Sequence, residues 1–112
     1  MMADKAWIGV DLDGTLAHYD GFKGPGEIGP PIPKMVERVK RWKNDGKRVK
    51  IMTARDAGNS KAARIARKAI KRRCIEHLGF PLEITCVKDH DMVALWDDRA
   101  VQVRKNTGER VG

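Results

Sequence analysis

Apolar positions along the 112-residue chain fall into short runs broken by glycine, proline and acidic residues. Ala6-Trp7-Ile8-Gly9-Val10 is mostly apolar and stops abruptly at Asp11-Leu12-Asp13-Gly14-Thr15. A run that apolar predicts a strand buried on both faces, as in a parallel sheet. Residues 14 to 33 are rich in glycine (14, 21, 24, 26, 29) and proline (30, 31, 33), a loop composition too short to be a domain. From Lys34 to Asp45 the period changes: Met35, Val36, Val39 and Trp42 fall at i, i+1, i+4 and i+7, and Gly46 stops the helix they predict. Prolines 30 to 33 are tolerated only before or at its first turn. Val49-Lys50-Ile51-Met52-Thr53 predicts a second strand. Asn59 or Ser60 then caps a long helix to about Leu78, with an apolar stripe of Ala62, Ile65, Ala66, Ala69, Ile70, Cys74 and Leu78, ended by Gly79 and Pro81. Leu82 to Val87 predicts a third strand and Met92 to Trp96 a fourth, ending in Asp97-Asp98; Val101-Gln102-Val103 predicts a short fifth at an edge.

Strand, helix, strand, helix, strand is the order of a parallel α/β sheet with right-handed crossovers. Such sheets bind ligands beyond the carboxyl ends of their strands, and every unusual polar residue of this chain falls at such an end. One spacing resists the pattern. A parallel crossover needs a dozen or more residues, yet Lys88 to Met92 supplies about five. At ~3.3 Å per residue these reach ~17 Å. Either the fourth strand is very short or residues 82–87 are not a regular parallel strand.

Composition narrows this picture. With 41% hydrophobic residues the chain can build a packed interior, and its length accommodates one domain. No run approaches the ~18 apolar residues of a membrane span, and the start, Met1-Met2-Ala3-Asp4-Lys5, lacks the apolar stretch of a secretory signal. A soluble, cytoplasmic protein is expected. Cys74 and Cys86, twelve apart, make neither a zinc site nor a disulfide framework, and Cys86 reads as a buried free thiol in an apolar run. The net charge of +8 favours anionic partners: phosphate esters, nucleotides or nucleic acid.

Asp11, Asp13, Asp97 and Asp98 each follow an apolar strand and project from the rim of the core. If the two strands are neighbours, up to four carboxylates gather, and like charges that close destabilise one another. A divalent cation is the ordinary relief, and a hard, oxygen-rich site suits Mg²⁺.

Asp11-Leu12-Asp13-Gly14-Thr15 after an apolar strand resembles the first motif of the haloacid dehalogenase-like (HAD) hydrolases. Ile51-Met52-Thr53 resembles the second motif, Lys88 the third motif's lysine and Asp97-Asp98 the acidic pair of the fourth, in the family's order over residues 7 to 98. The resemblance implies a three-layer Rossmann-like domain, residues 1–112, and a Mg²⁺-dependent phosphatase. Asp11 would attack phosphorus to form an aspartyl-phosphate, and Asp13 would act as general acid and then base. Mg²⁺ would be held by Asp11, the Asp13 carbonyl, Asp97 and Asp98, with Lys88 and Thr53 offsetting charge on the phosphoryl group. Backbone N–H groups around Leu12 to Gly14 would complete the cradle, with Gly14 and Thr15 beside the substrate. Arg55 and Arg99 would either grip substrate or brace the aspartates, and His18 and Tyr19 would touch substrate or pack in the loop. Only about twenty residues follow Thr15 before the first helix, so no folded cap domain fits. In this family an open site goes with macromolecular substrates, or with a neighbouring subunit as lid in a homo-oligomer.

Lys61, Arg64, Arg67, Lys68, Lys71, Arg72 and Arg73 ride the long helix opposite its apolar stripe, either a solvated face or a surface that tracks phosphates. The three tryptophans, Trp7, Trp42 and Trp96, fall in expected core or strand positions, which leaves base stacking without support. The favoured expectation is a phosphomonoester hydrolase for a nucleotide or nucleic-acid terminal phosphate. The alternatives are a small sugar-phosphate phosphatase and a non-catalytic basic nucleic-acid-binding module on a HAD scaffold.

Overall fold

The computed structural model describes residues 5–112. β1 (Trp7–Asp11), α1 (Pro33–Asn44), β2 (Arg48–Met52), α2 (Lys61–Leu78), β3 (Glu83–Thr85) and β4 (Met92–Trp96) follow one another, with a 3₁₀ turn, Ala54–Asp56, between β2 and α2. The four strands form one parallel sheet in the order β3-β2-β1-β4. This is the α/β fold of a small Rossmann-like domain.

Sheet order decides where the helices go. The chain steps from β1 to β2 to β3 in one direction, so two right-handed crossovers place both helices on the same face. There α1 packs on β2 and α2. Val10, Val49 and Ile51 from the strands meet Met35 and Val39 of α1 and Ile70, Cys74 and Leu78 of α2 in one core. The return from β3 to β4 runs the opposite way and crosses the other face. Its Asp89 accepts a hydrogen bond from Trp7 Nε1 at 2.8 Å and lies 3.9 Å from Lys50 Nζ, which sits 4.4 Å over the Trp7 ring. The third layer is reduced to this segment, and Trp7, 1% exposed, fills the space beneath it.

That passage resolves the short connection between residues 85 and 92. β3 has only three residues, because Thr85 Oγ1 accepts the Val87 N–H and turns the chain out of the sheet. Cys86, expected inside a strand, is therefore half-buried beyond it. The fifth strand does not form. Asp97 Oδ1 accepts the N–H groups of Arg99 (2.7 Å) and Ala100 (3.3 Å), which bends the chain away from β4. Val101 and Val103 are exposed, and Val103 makes only an isolated bridge to Arg110.

The helices start and stop as their end residues dictate. Pro33 opens α1 without a side-chain cap. Ser60 caps α2 by accepting the Ala63 N–H, and Gly79 ends it in the left-handed conformation. The buried stripe of α2 is Ala63, Ala66, Ala69, Ile70, Cys74 and Leu78. Ala62 and Ile65, expected on it, are exposed, because the first turns of α2 lean on the loop rather than on the sheet: Ile65 packs against Gly26. Burial pushes the Cys74 thiol up to about 11, so it is inert packing. No helix among the described residues is long and apolar enough to cross a membrane.

Candidate active site

β1 and β4 are neighbours in the sheet, with Val10 opposite Trp96, so the residues that follow each strand emerge side by side. Asp11, Asp97 and Asp98 bring one carboxylate oxygen each to within 4.8 Å of one another. Burial, and the charges of Asp97, Asp98 and Asp13 around it, push the Asp11 carboxyl from 3.8 up to about 7. Among the described residues no Lys, Arg or His pairs with any of the three. Three uncompensated carboxylates at this spacing form a hard-oxygen donor set, and a divalent cation among them would remove the repulsion that now falls on Asp11. The three carboxylates are an arrangement that could hold a metal ion.

Asp13 stands apart from that trio. Arg55 grips both its oxygens, Nε to Oδ2 at 2.8 Å and Nη2 to Oδ1 at 3.1 Å, while Nη1 donates to the carbonyls of Gly24 (2.9 Å) and Pro25 (3.1 Å). Of the two roles open to Arg55, bracing an aspartate is the one observed. Thr53 ends β2, and its backbone N–H still bonds to Thr85. Its buried hydroxyl accepts the Arg55 N–H at 3.2 Å, which leaves the O–H proton to donate into the cavity that Thr53 lines.

Behind the acids, Gly14 and Thr15 are structural. Gly14 has φ +89°, and a Cβ there would lie 2.5 Å from Asp98 Oδ2. Its N–H is taken by the Ala17 carbonyl at 2.8 Å, so it is no phosphate donor. Thr15 Oγ1 accepts the Asp98 N–H at 3.0 Å and donates to Asp98 Oδ1 at 3.3 Å, tying β4 to the turn after β1. Neither residue, expected beside the substrate, lines the cavity. Lys88 is exposed and also stands outside the cavity wall, since the chain has already turned across the far face of the sheet.

The cavity itself measures about 710 Å³ and opens to solvent. Asp11, Asp13, Asp97, Asp98, Thr53, Arg55 and Arg99 form its polar end. Its other walls were not legible in the sequence. An arm of residues 18–30 folds back over the strand ends, and His18 N–H donates to the Pro30 carbonyl at 2.8 Å. Only glycine allows this at position 29, where a Cβ would overlap the His18 carbonyl. The arm brings Tyr19, Phe22 and Pro25 to the cavity; opposite them stand Ala62, Ala63 and Ala66 of α2. His18 is exposed and does not reach this space. Of the basic residues of α2, Arg67 pairs with Asp56 at 2.9 Å and Arg73 donates to the Gly29 carbonyl at 2.7 Å, while Lys61, Arg64, Lys68, Lys71 and Arg72 stay exposed.

No protein-family model matches the chain, and no curated protein does. Among solved structures it is similar to a conserved protein from Bacteroides thetaiotaomicron, at 20% identity and a TM-score of 0.55, over 85% of this chain and 77% of that one. At such identity the likeness shows the fold alone.

Proposed function

We propose that the chain is a Mg²⁺-dependent phosphomonoester hydrolase that works through Asp11. The observation behind this reading is the junction of β1 and β4. It sets Asp11 beside two further carboxylates that have no cationic side-chain partner among the described residues, with the Asp13–Arg55 pair and the Thr53 hydroxyl on the same cavity. Asp11, Asp97 and Asp98 would hold the cation, which when bound neutralises charge on the phosphoryl oxygens.

The chain's own residues supply the rest. An Asp11 oxygen forms a bond to phosphorus as the bond from phosphorus to the leaving oxygen breaks, and Asp13 gives that oxygen a proton. Water then attacks the aspartyl-phosphate, Asp13 takes its proton back, and phosphate leaves with Asp11 regenerated. Thr53 donates to a phosphoryl oxygen throughout. The Arg55 fork takes one acceptor site on each Asp13 oxygen and leaves another on each for the proton, so it can orient the carboxyl throughout.

Phosphate release from an aryl phosphate, with and without Mg²⁺, tests the proposal. Release is expected to depend on the ion and to be abolished by Asp11→Asn at unchanged fold. Turnover at the wild-type level in that variant would falsify it.

A further inference from the structure

We infer that the cavity takes the phosphate ester of a nucleoside, its base held between the arm aromatics and the alanine wall of α2. This rests on the reading of Asp11 as the phosphoryl-accepting group. The space far exceeds a phosphate, and a volume of about 710 Å³ falls in the range that holds whole small molecules. Away from the acids its walls include Tyr19, Phe22 and Pro25 of the arm and, from α2 and its cap, Ser60, Ala62, Ala63 and Ala66. Alanines end at Cβ and leave a flat helix surface.

Phe22 is 64% exposed and Tyr19 44%, and both line the cavity. One face of Phe22 nevertheless has a partner. The Arg55 guanidinium lies 5.2 Å from its ring, and Arg55 is itself held by Asp13, Gly24 and Pro25. The rest of the ring faces the cavity and solvent, ready for a second planar partner at little cost in side-chain freedom. Away from the polar end, the hydroxyls of Tyr19 and Ser60 are what these walls offer a sugar, ribose or hexose alike, so the base rather than the sugar has to supply the discrimination. A nucleobase needs a π-face and an apolar floor, which is what they present.

A free nucleotide and the end of a nucleic acid share this chemistry. The exposed Lys61, Arg64, Lys68, Lys71 and Arg72 lie on the same helix as the alanine wall, where they suit the further phosphates of a longer chain.

Titration calorimetry of the full chain with Mg²⁺, carrying Asp11→Asn to prevent turnover, tests this with three probes. They are a nucleoside monophosphate, a short oligonucleotide with a terminal phosphate, and a hexose phosphate. The nucleoside-bearing probes are expected to bind about tenfold or more tighter than the hexose phosphate. Phe22→Ala with Tyr19→Ala should remove that advantage without changing hexose phosphate binding, and Phe22→Trp should keep it. A steeply salt-dependent preference for the oligonucleotide assigns the nucleic-acid end; equal affinities assign the free nucleotide. Equal binding of the hexose phosphate, or nucleotide affinity indifferent to both aromatic changes, overturns the inference. Aromatic-dependent nucleotide binding in a chain that releases no phosphate would instead sink the hydrolase reading and leave the base slot standing.

Discussion

Gly14→Ala probes the contact on which the acid cluster depends. Alanine at φ +89° costs about 1–2 kcal/mol, offset by about 0.4–1 kcal/mol from the stiffer unfolded chain. The new Cβ also lands 2.5 Å from Asp98 Oδ2 and 2.8 Å from Asp98 Cγ. To restore an ordinary contact near 3.5 Å the carboxylate must withdraw by about 1 Å. That breaks the bond from Thr15 Oγ1 to Asp98 Oδ1, worth about 1 kcal/mol. The expected loss is about 2 kcal/mol, or roughly 8 °C in Tm for a domain of this size. Thermal unfolding of Gly14→Ala, Asp98→Ala and the double variant separates the parts. Removing the Asp98 carboxylate abolishes the clash and leaves only the backbone strain, so the cycle should show a coupling of about 1 kcal/mol. The rise in Tm on adding Mg²⁺ should also shrink in Gly14→Ala. Equal costs of Gly14→Ala in both backgrounds would refute the reasoning, because Asp98 would then not be resting on Gly14.

Two further outcomes follow from the same site. Arg55→Lys keeps the charge but loses the fork on Asp13 and the bonds to the Gly24 and Pro25 carbonyls. It should lower kcat for phosphate release by on the order of 10², the scale of one general acid–base group; unchanged kcat would exclude a positioning role. The cation-free protein should lose stability as pH rises. The Asp11 carboxyl lies at about 7 in the fold against 3.8 in the free group, so the folded state holds the extra proton between those values and is penalised above them. Tm in EDTA should fall from pH 4.5 to pH 8, with Mg²⁺ flattening the curve; a flat curve in EDTA would mean that the carboxylates do not crowd Asp11.

Asp11, Asp13, Asp97 and Asp98 were visible in the sequence because each ends an apolar run, and strand ends in a parallel sheet share one rim. The helices were equally visible, since Met35 to Trp42 and Ala66 to Leu78 keep a strict period. What escaped depends on contacts between distant segments. Nothing local distinguishes Phe22 from any loop aromatic. Its place at the cavity is set by Arg55, 33 positions on, and by the backbone approach at Gly29 and His18. Residues 82–87 read as one strand because Cys86 and Val87 are apolar, but the Thr85 hydroxyl turns the chain before they can pair. The basic face of α2 was legible as charge, though not that Arg67 and Arg73 spend theirs on the fold.

The pairing of β1 with β4 has a dynamic consequence. β1, α1, β2, α2 and β3 assemble between neighbours in sequence, whereas β4 joins β1 across more than eighty positions and is the more exposed edge of the sheet. Such an edge detaches at a lower free energy than the whole domain unfolds. Two of the three clustered carboxylates, Asp97 and Asp98, leave with it, so amide exchange along Met92–Trp96 measures how often the site comes apart while the core survives. An ion gripped by Asp11 together with Asp97 and Asp98 would act as a staple between the two ends of the chain. It would slow that exchange in β4 well before it altered the exchange of Val10 or Ile51.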